Sequence, residues 1–484
     1  MADEQRGPAE SRAGPVQQAS PAGVPGHSAA EEVAARVPRP ARIGPKHLPW
    51  RVAGRGVPRL PRVRVRDVLQ RPGWMLYLSL LGPGLIAANA GNDAGGIATY
   101  ASVGASFGYS LLWALALITV SLIVVQEMVA RMGVVTGKGL SDLIRENLGV
   151  RWTAFAMLAL FVANASTVTS EFAGIAAAGE LFGIPKYVSV PLMAAAVWWL
   201  VVKGSYRRVE RIFLLMTLAF FAYPASAFLA RPDWREVVHG FIRPQIRLDT
   251  EYLVMFVALV GTTITPYMQV FQQTSVVEKG LRVAEYRYVR LDTITGSLLS
   301  NLVAAFIIIA TAATLYKEGV KVEDAASAAR ALAPLAGEYA GVLFGIGLFG
   351  ASMLAAGVLP LATAYSISEA FGWEHSLTRE WREAPAFYSL FTLLIVGGAA
   401  ITLIPGLPLF RLLVLVQVIN GVLLPVLLFI ILRLVNDPEL MGEHVNTPLY
   451  NLLAWATALF VATLSVVMVL ATVVLPAVGI SLAS

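Results

Sequence analysis

No cysteine occurs among the 484 residues. Disulfide staples, thiolate metal sites, cysteine nucleophiles and thiol redox switches are therefore excluded, and a bound metal would have to be held by oxygen, nitrogen or thioether ligands. Charge is scarce as well: 14% of residues are Asp, Glu, Lys or Arg, where soluble domains carry about 25%. Histidine is absent from every long apolar run, since His27, His47, His239, His375 and His444 all fall in the N-terminal tail or between runs. No nucleophile-base pair and no HExxH spacing is present, so no enzyme chemistry is indicated. What the chain does have is apolar surface, with 57% hydrophobic residues and a mean hydropathy of +0.67. Most of it is built to face lipid.

The formal charge of +6 is local. Residues 1–70 hold 12 Lys and Arg against 6 Asp and Glu, leaving 25 basic and 25 acidic residues for the rest. The same segment holds ten of the 27 prolines, without the apolar stretch or small-residue cleavage site of a signal peptide. It reads as a disordered Pro/Arg-rich cytoplasmic tail whose basic end, Arg51 to Arg71, suits anionic lipid headgroups rather than nucleic acid.

From Trp74 onward, apolar runs long enough to cross about 30 Å of hydrocarbon recur between short polar loops. Eleven are expected, all helical, because an open sheet cannot satisfy its backbone in lipid. An alternating assignment places fifteen Lys and Arg on one side, nine on the other and none in the membrane core, apart from thirteen in residues 1–71. The positive-inside rule then puts the N-terminus in the cytoplasm and the C-terminus outside, in a cell inner (plasma) membrane. An Ala-rich segment, Val322 to Pro334, reads as a short outer helix.

Two of the eleven spans are interrupted. Span one, GPGLIAANAGNDAGGIATY, carries Asn92, Asp93, Gly95 and Gly96 at mid-membrane. Span six, VALVGTTITPYMQVFQ, carries Gly261, three threonines and Pro266 halfway along. Proline removes a donor and clashes with the preceding turn, so unwinding is expected near Thr263 to Thr265. Breaks five helices apart are the mark of a 5+5 inverted repeat with its site at the breaks. The expected units are residues 71–230, 251–435 and a last span at 449–478, after the tail.

Asp93 is the most informative residue, because a mid-membrane carboxylate is costly and no Lys or Arg is at hand. It must be protonated or paired with a bound cation. Unwound backbone offers carbonyls, at Ala90 before the first break and Thr262 before the second, and with the Thr265 hydroxyl or carbonyl this makes an oxygen site for a hard cation. Glu127, with Arg131 one turn on, reads as an i,i+4 pair or a gating element. Glu171, in the polar stretch from Asn164, marks either an aqueous path or a hydrogen-bonded seam between helices. Gln417 is either an interhelical amide or a cation ligand.

Several stretches resemble the Nramp family of divalent-metal transporters: GPG at Gly82 to Gly84, ARMGVVTGKGL at Ala130 to Leu140, GTTI at Gly261 to Ile264, VLVQVINGVLLP at Val414 to Pro425 and NDPELMGEHVN at Asn436 to Asn446. The resemblance implies a leucine-transporter-type fold, alternating access and a metal site between the two breaks, with Gln417 where the family's glutamine approaches the metal. It also shows departures. The family's first-break motif is Asp-Pro-Gly-Asn, and here stand Asp93, Ala94, Gly95 and Gly96; the second is Met-Pro-His-Asn, and here stand Thr265, Pro266, Tyr267 and Met268. Loss of the thioether weakens preference for softer ions, and loss of the amide at Gly96 widens the site for a partly hydrated Mg²⁺. The pattern resembles the prokaryotic Nramp-related magnesium transporter branch. Met268 is expected to pack rather than to ligate.

Tyr267 stands where the family has a histidine linked to proton movement, and a phenol titrates near 10, so weak or absent proton coupling is expected. The expected function is import of Mg²⁺ as substrate, with no cofactor, in a chain whose oligomeric state the sequence leaves open and a monomer would satisfy. The alternatives are a proton-coupled Mn²⁺ or Fe²⁺ transporter and a sodium-coupled amino-acid symporter on the same fold.

Overall fold

The structure, a computed structural model, describes residues 92–203, 222–247, 249–374 and 381–470. The tail 1–70, the first half of span one with Ala90 and the GPG stretch, the middle of span five, and the end of the last span lie outside the described residues. Among those described the regular structure is entirely helical, and eight helices are long and apolar enough to cross a membrane.

In chain order the helices are α1 (Ala94–Phe107), α2 (Leu112–Thr136), α3 (Leu140–Leu181), α4 (Lys186–Lys203) and α5 (Ala222–Leu229). Then come α6 (Trp234–Ile242), α7 (Thr250–Thr263), α8 (Pro266–Glu278) and α9 (Tyr286–Thr311). The last are α10 (Ala340–Phe371), α11 (Pro385–Thr402), α12 (Leu409–Val435) and α13 (Pro448–Val469). Between α9 and α10 lie the short helices Ala325–Ala329 and Ala333–Ala336, where a short helix was expected.

Helix α3 lies at the centre, with α10, α11 and α12 packed along it, while α9 packs on α1 and α2, and α7 on α12. Helices in lipid gain little from apolar burial against each other, so they close on small residues. The α7–α12 contact shows this: a Cβ on Gly261 would lie 2.0 Å from the Gln417 carbonyl oxygen, and one on Gly421 2.6 Å from that of Val257.

Glu127 and Arg131 form the i,i+4 pair expected, at 3.4 Å and almost fully buried. Glu127 also accepts from the Tyr286 hydroxyl. Arg131 donates to the His444 carbonyl at 3.1 Å and to Asn446 Oδ1, so the pair ties α2 to α9 and to the loop before α13. Replacing Glu127 by Ala strands a buried guanidinium and should cost about 3–5 kcal/mol, whereas replacing both partners by apolar residues should cost far less. Thermal unfolding in detergent checks this, and an unchanged midpoint in Glu127→Ala would show that the pair contributes nothing.

Candidate functional site

The second break falls immediately before Pro266. Helix α7 ends at Thr263, Ile264 leaves helical geometry at φ −119, ψ 65, and Thr265 is extended at φ −69, ψ 142 as the N-cap of α8. Pro266 occupies the first turn of α8, where its missing N–H is no loss. Thr262 stands four residues earlier, so its carbonyl has no helical N–H to accept from. This frees an oxygen at the break for reasons written into the covalent chain.

The first break is shaped differently from the expectation. Only Asn92 and Asp93 are non-helical on the described side, while Gly95 and Gly96 belong to the first turn of α1. Asp93 is the N-cap, at φ −72, ψ 178, and its Oδ1 accepts from the Gly96 amide at 2.6 Å. Its other oxygen, Oδ2, is buried without a hydrogen-bond partner. Gly96 thus contributes a backbone donor as well as the absence of a side chain. Gly95 serves close approach: a Cβ there would lie 2.0 Å from Gln417 Nε2.

Glu171 is the residue that sequence reasoning left between two readings, and the structure brings it to the break. Its Oε2 accepts from the Ala94 amide at 3.3 Å, and the side chain is fully buried. That amide would otherwise be the helical partner of the Ala90 carbonyl. The signal was in the spacing of Asn164, Thr167 and Glu171, which share one face of α3. Asn164 donates to Thr363 Oγ1 at 2.7 Å, Thr167 meets Asn420, and Glu171 meets α1. The seam and the polar site are one structure. Neither Asp93 nor Glu171 has an ion-pair partner among the described residues, so a proton or a bound cation must compensate them.

Thr262, Thr265 and Gln417 are fully buried. Nε2 of Gln417 has no hydrogen-bond partner. Gln417 differs from the expectation in detail: its Oε1 accepts from Asn420 at 3.1 Å and its nitrogen faces α1. Ligation through oxygen requires a half-turn of the amide, which would set its nitrogen against Asn420 Nδ2, so the Asn420 amide must turn with it and accept through Oδ1. Tyr267 is buried with Asp93, Glu171, Thr265 and Tyr100 facing its phenol. Met268 sits in the main hydrophobic cluster, as expected of a packing residue. No group of three or more His, Cys, Asp or Glu positioned to hold a metal occurs among the described residues. A cation here would be met by carboxylate, carbonyl, hydroxyl and amide groups.

A helical bundle with helix ends meeting at a buried carboxylate defines an integral membrane protein of the leucine-transporter fold. The chain matches the natural resistance-associated macrophage protein-like (Nramp) family over residues 84–471, and it belongs to that family. The divalent metal cation transporter MntH of Ralstonia nicotianae is 31% identical over 412 residues, covering 79% of this chain and 89% of that relative. Among solved structures, the manganese transporter of Eremococcus coleocola, in complex with an aromatic bis-isothiourea substituted compound, superposes with a TM-score of 0.65 at 21% identity. That match covers 81% of this chain and 86% of the other. MhsT in complex with L-phenylalanine matches at a TM-score of 0.53 and 15% identity, over 80% of this chain and 97% of its own, which speaks to the fold alone.

Proposed function

We propose that this chain is a carrier for divalent metal cations that imports Mg²⁺ across the plasma membrane by alternating access, with weak or no proton coupling. The observation that carries the reading is the donor set at the two breaks. Asp93 Oδ2 is buried without a hydrogen-bond partner, Thr265 brings a buried hydroxyl to the second break, and no thioether stands at position 265. Oxygen donors and a site widened at Gly96 suit a hard ion that keeps part of its water. Asp93 would hold the ion directly or through water, the Ala90 and Thr262 carbonyls and Thr265 would complete the shell, and Gln417 would join after its amide turns. Inward movement of two charges down 100 mV supplies about 4.6 kcal/mol, enough to drive uptake without a proton. The relatives named above are called transporters, which fits a chain without enzymatic chemistry.

The test is Thr265→Met in proteoliposomes loaded with Mg²⁺ and Mn²⁺ indicators. A thioether at that position should shift preference toward Mn²⁺ by about tenfold, equivalent to about 1.4 kcal/mol of differential binding. An unshifted ratio would remove position 265 from the account of selectivity.

A second reading, proton-coupled Mn²⁺ or Fe²⁺ transport, is favoured by Glu171. A second buried carboxylate beside the first gives a proton somewhere to sit when the cation leaves. The names of the relatives, a divalent metal cation transporter and a manganese transporter, point the same way. Acidification that accompanies Mn²⁺ uptake and disappears in Glu171→Gln would establish it.

A further inference from the structure

Helix α8 carries three glutamines, Gln269, Gln272 and Gln273, at i, i+3 and i+4, all fully buried. That spacing gathers them on one side of the helix over little more than a turn. Their amide nitrogens are spent on the protein. Gln269 Nε2 donates to the Thr265 carbonyl at 3.4 Å, Gln272 Nε2 to Thr293 Oγ1 at 3.1 Å, and Gln273 Nε2 to the Lys138 carbonyl at 2.9 Å. Their oxygens are not: Oε1 of all three is buried without a hydrogen-bond partner. Buried acceptors as a rule find a donor. A run of three orphaned acceptors on one helix is therefore the mark of a ligand that supplies hydrogens or positive charge.

The run also has a direction. Its upper end bonds to Thr265 at the break, and its lower end to Lys138, in the α2–α3 loop that the basic-residue asymmetry assigns to the cytoplasm. Helix α2, which packs on α8, adds Gln126, buried with both side-chain ends unpartnered, two turns before the Gly133 that abuts Gln273.

We propose that Gln269, Gln272 and Gln273 form a second, weaker station for a water-clad divalent cation between the Asp93 site and the cytoplasm. Neutral amide oxygens are poor competitors for the inner shell of a strongly hydrated ion and good acceptors for the hydrogens of its bound water. An ion leaving Asp93 would exchange a carboxylate for three acceptors without stripping further water, and would be held loosely enough to move on. The inference rests on the divalent-cation reading above.

The experiment compares the full chain with the double variant Gln272→Leu/Gln273→Leu. Mn²⁺ binding is read by isothermal titration in detergent, and Mg²⁺ and Mn²⁺ flux in proteoliposomes. The expected result is a first binding phase, owed to Asp93, with unchanged Kd, and flux about tenfold slower, the effect of losing water-bridged acceptors along the path. Flux in the double variant equal to that of the unsubstituted chain would overturn the station while leaving the carrier reading intact. Absence of divalent flux in the unsubstituted chain would overturn both. If the leucine variant does not fold, Gln272→Glu carries the test. A carboxylate of the same shape should create a second, tighter Mn²⁺ phase in the titration, and a single phase identical to that of the unsubstituted chain would contradict the proposal.

Discussion

Asp93→Ala is expected to reduce saturable divalent uptake by at least about a hundredfold, the scale of a lost charge-bearing ligand in a low-dielectric site. Two roles are combined in this side chain, and they can be separated. Oδ1 caps α1 through the Gly96 amide, and Oδ2 is left for a cation. Loss of a cap costs about 1 kcal/mol of stability. Asp93→Asn keeps an acceptor for Gly96 and removes the charge, so it should fold as the unsubstituted chain does and transport as poorly as Asp93→Ala. If Asp93→Asn instead restores uptake, the carboxylate is an N-cap and nothing more.

Gly261→Ala is the second large effect. Its new Cβ would lie 2.0 Å from the Gln417 carbonyl oxygen and 2.4 Å from the Gly421 nitrogen, both backbone atoms of α12 that no rotamer change can move aside. Helices α7 and α12 must separate, at about 1–3 kcal/mol or more for overpacking. The displacement falls on the two elements that carry Thr262 and Gln417. Both the unfolding midpoint and the uptake rate should therefore drop. Gly397→Ala on α11, where a Cβ would meet nothing within 4 Å, is the control and should alter neither. Equal behaviour of the two variants would show that the α7–α12 contact has room the structure does not reveal.

The parts of this molecule that were legible in the sequence are those fixed by local covalent chemistry. Pro266 marks the second break together with Gly261 and the threonines that precede it, since Pro191, Pro360 and Pro425 lie inside continuous helices and a missing N–H alone does not open one. The class followed from lipid as solvent, which leaves helices as the form these apolar runs can take. Asp93 was legible because burial of a charge without a counter-charge is costly in any membrane fold.

What escaped was set by tertiary neighbours. Gly95 and Gly96 were expected to be unwound, yet they are helical: Gly95 gives Gln417 room, and Gly96 lends its amide to Asp93. Glu171 could be placed on a polar face of α3, but only packing of α3 against α1 puts it on the Ala94 amide. The direction of the Gln417 amide depends on Asn420, one turn away, and on Thr167 from another helix. No pattern along one chain segment encodes that choice.

The measurement that tests the central claim most directly is divalent flux through the unsubstituted chain in proteoliposomes at an inside-negative potential. Mg²⁺ and Mn²⁺ indicators and a pH dye inside the vesicles are read together. The account predicts saturable Mg²⁺ uptake that increases with the potential and leaves the internal pH unchanged. Mn²⁺ uptake accompanied by acidification, with no Mg²⁺ uptake at any potential, would contradict it.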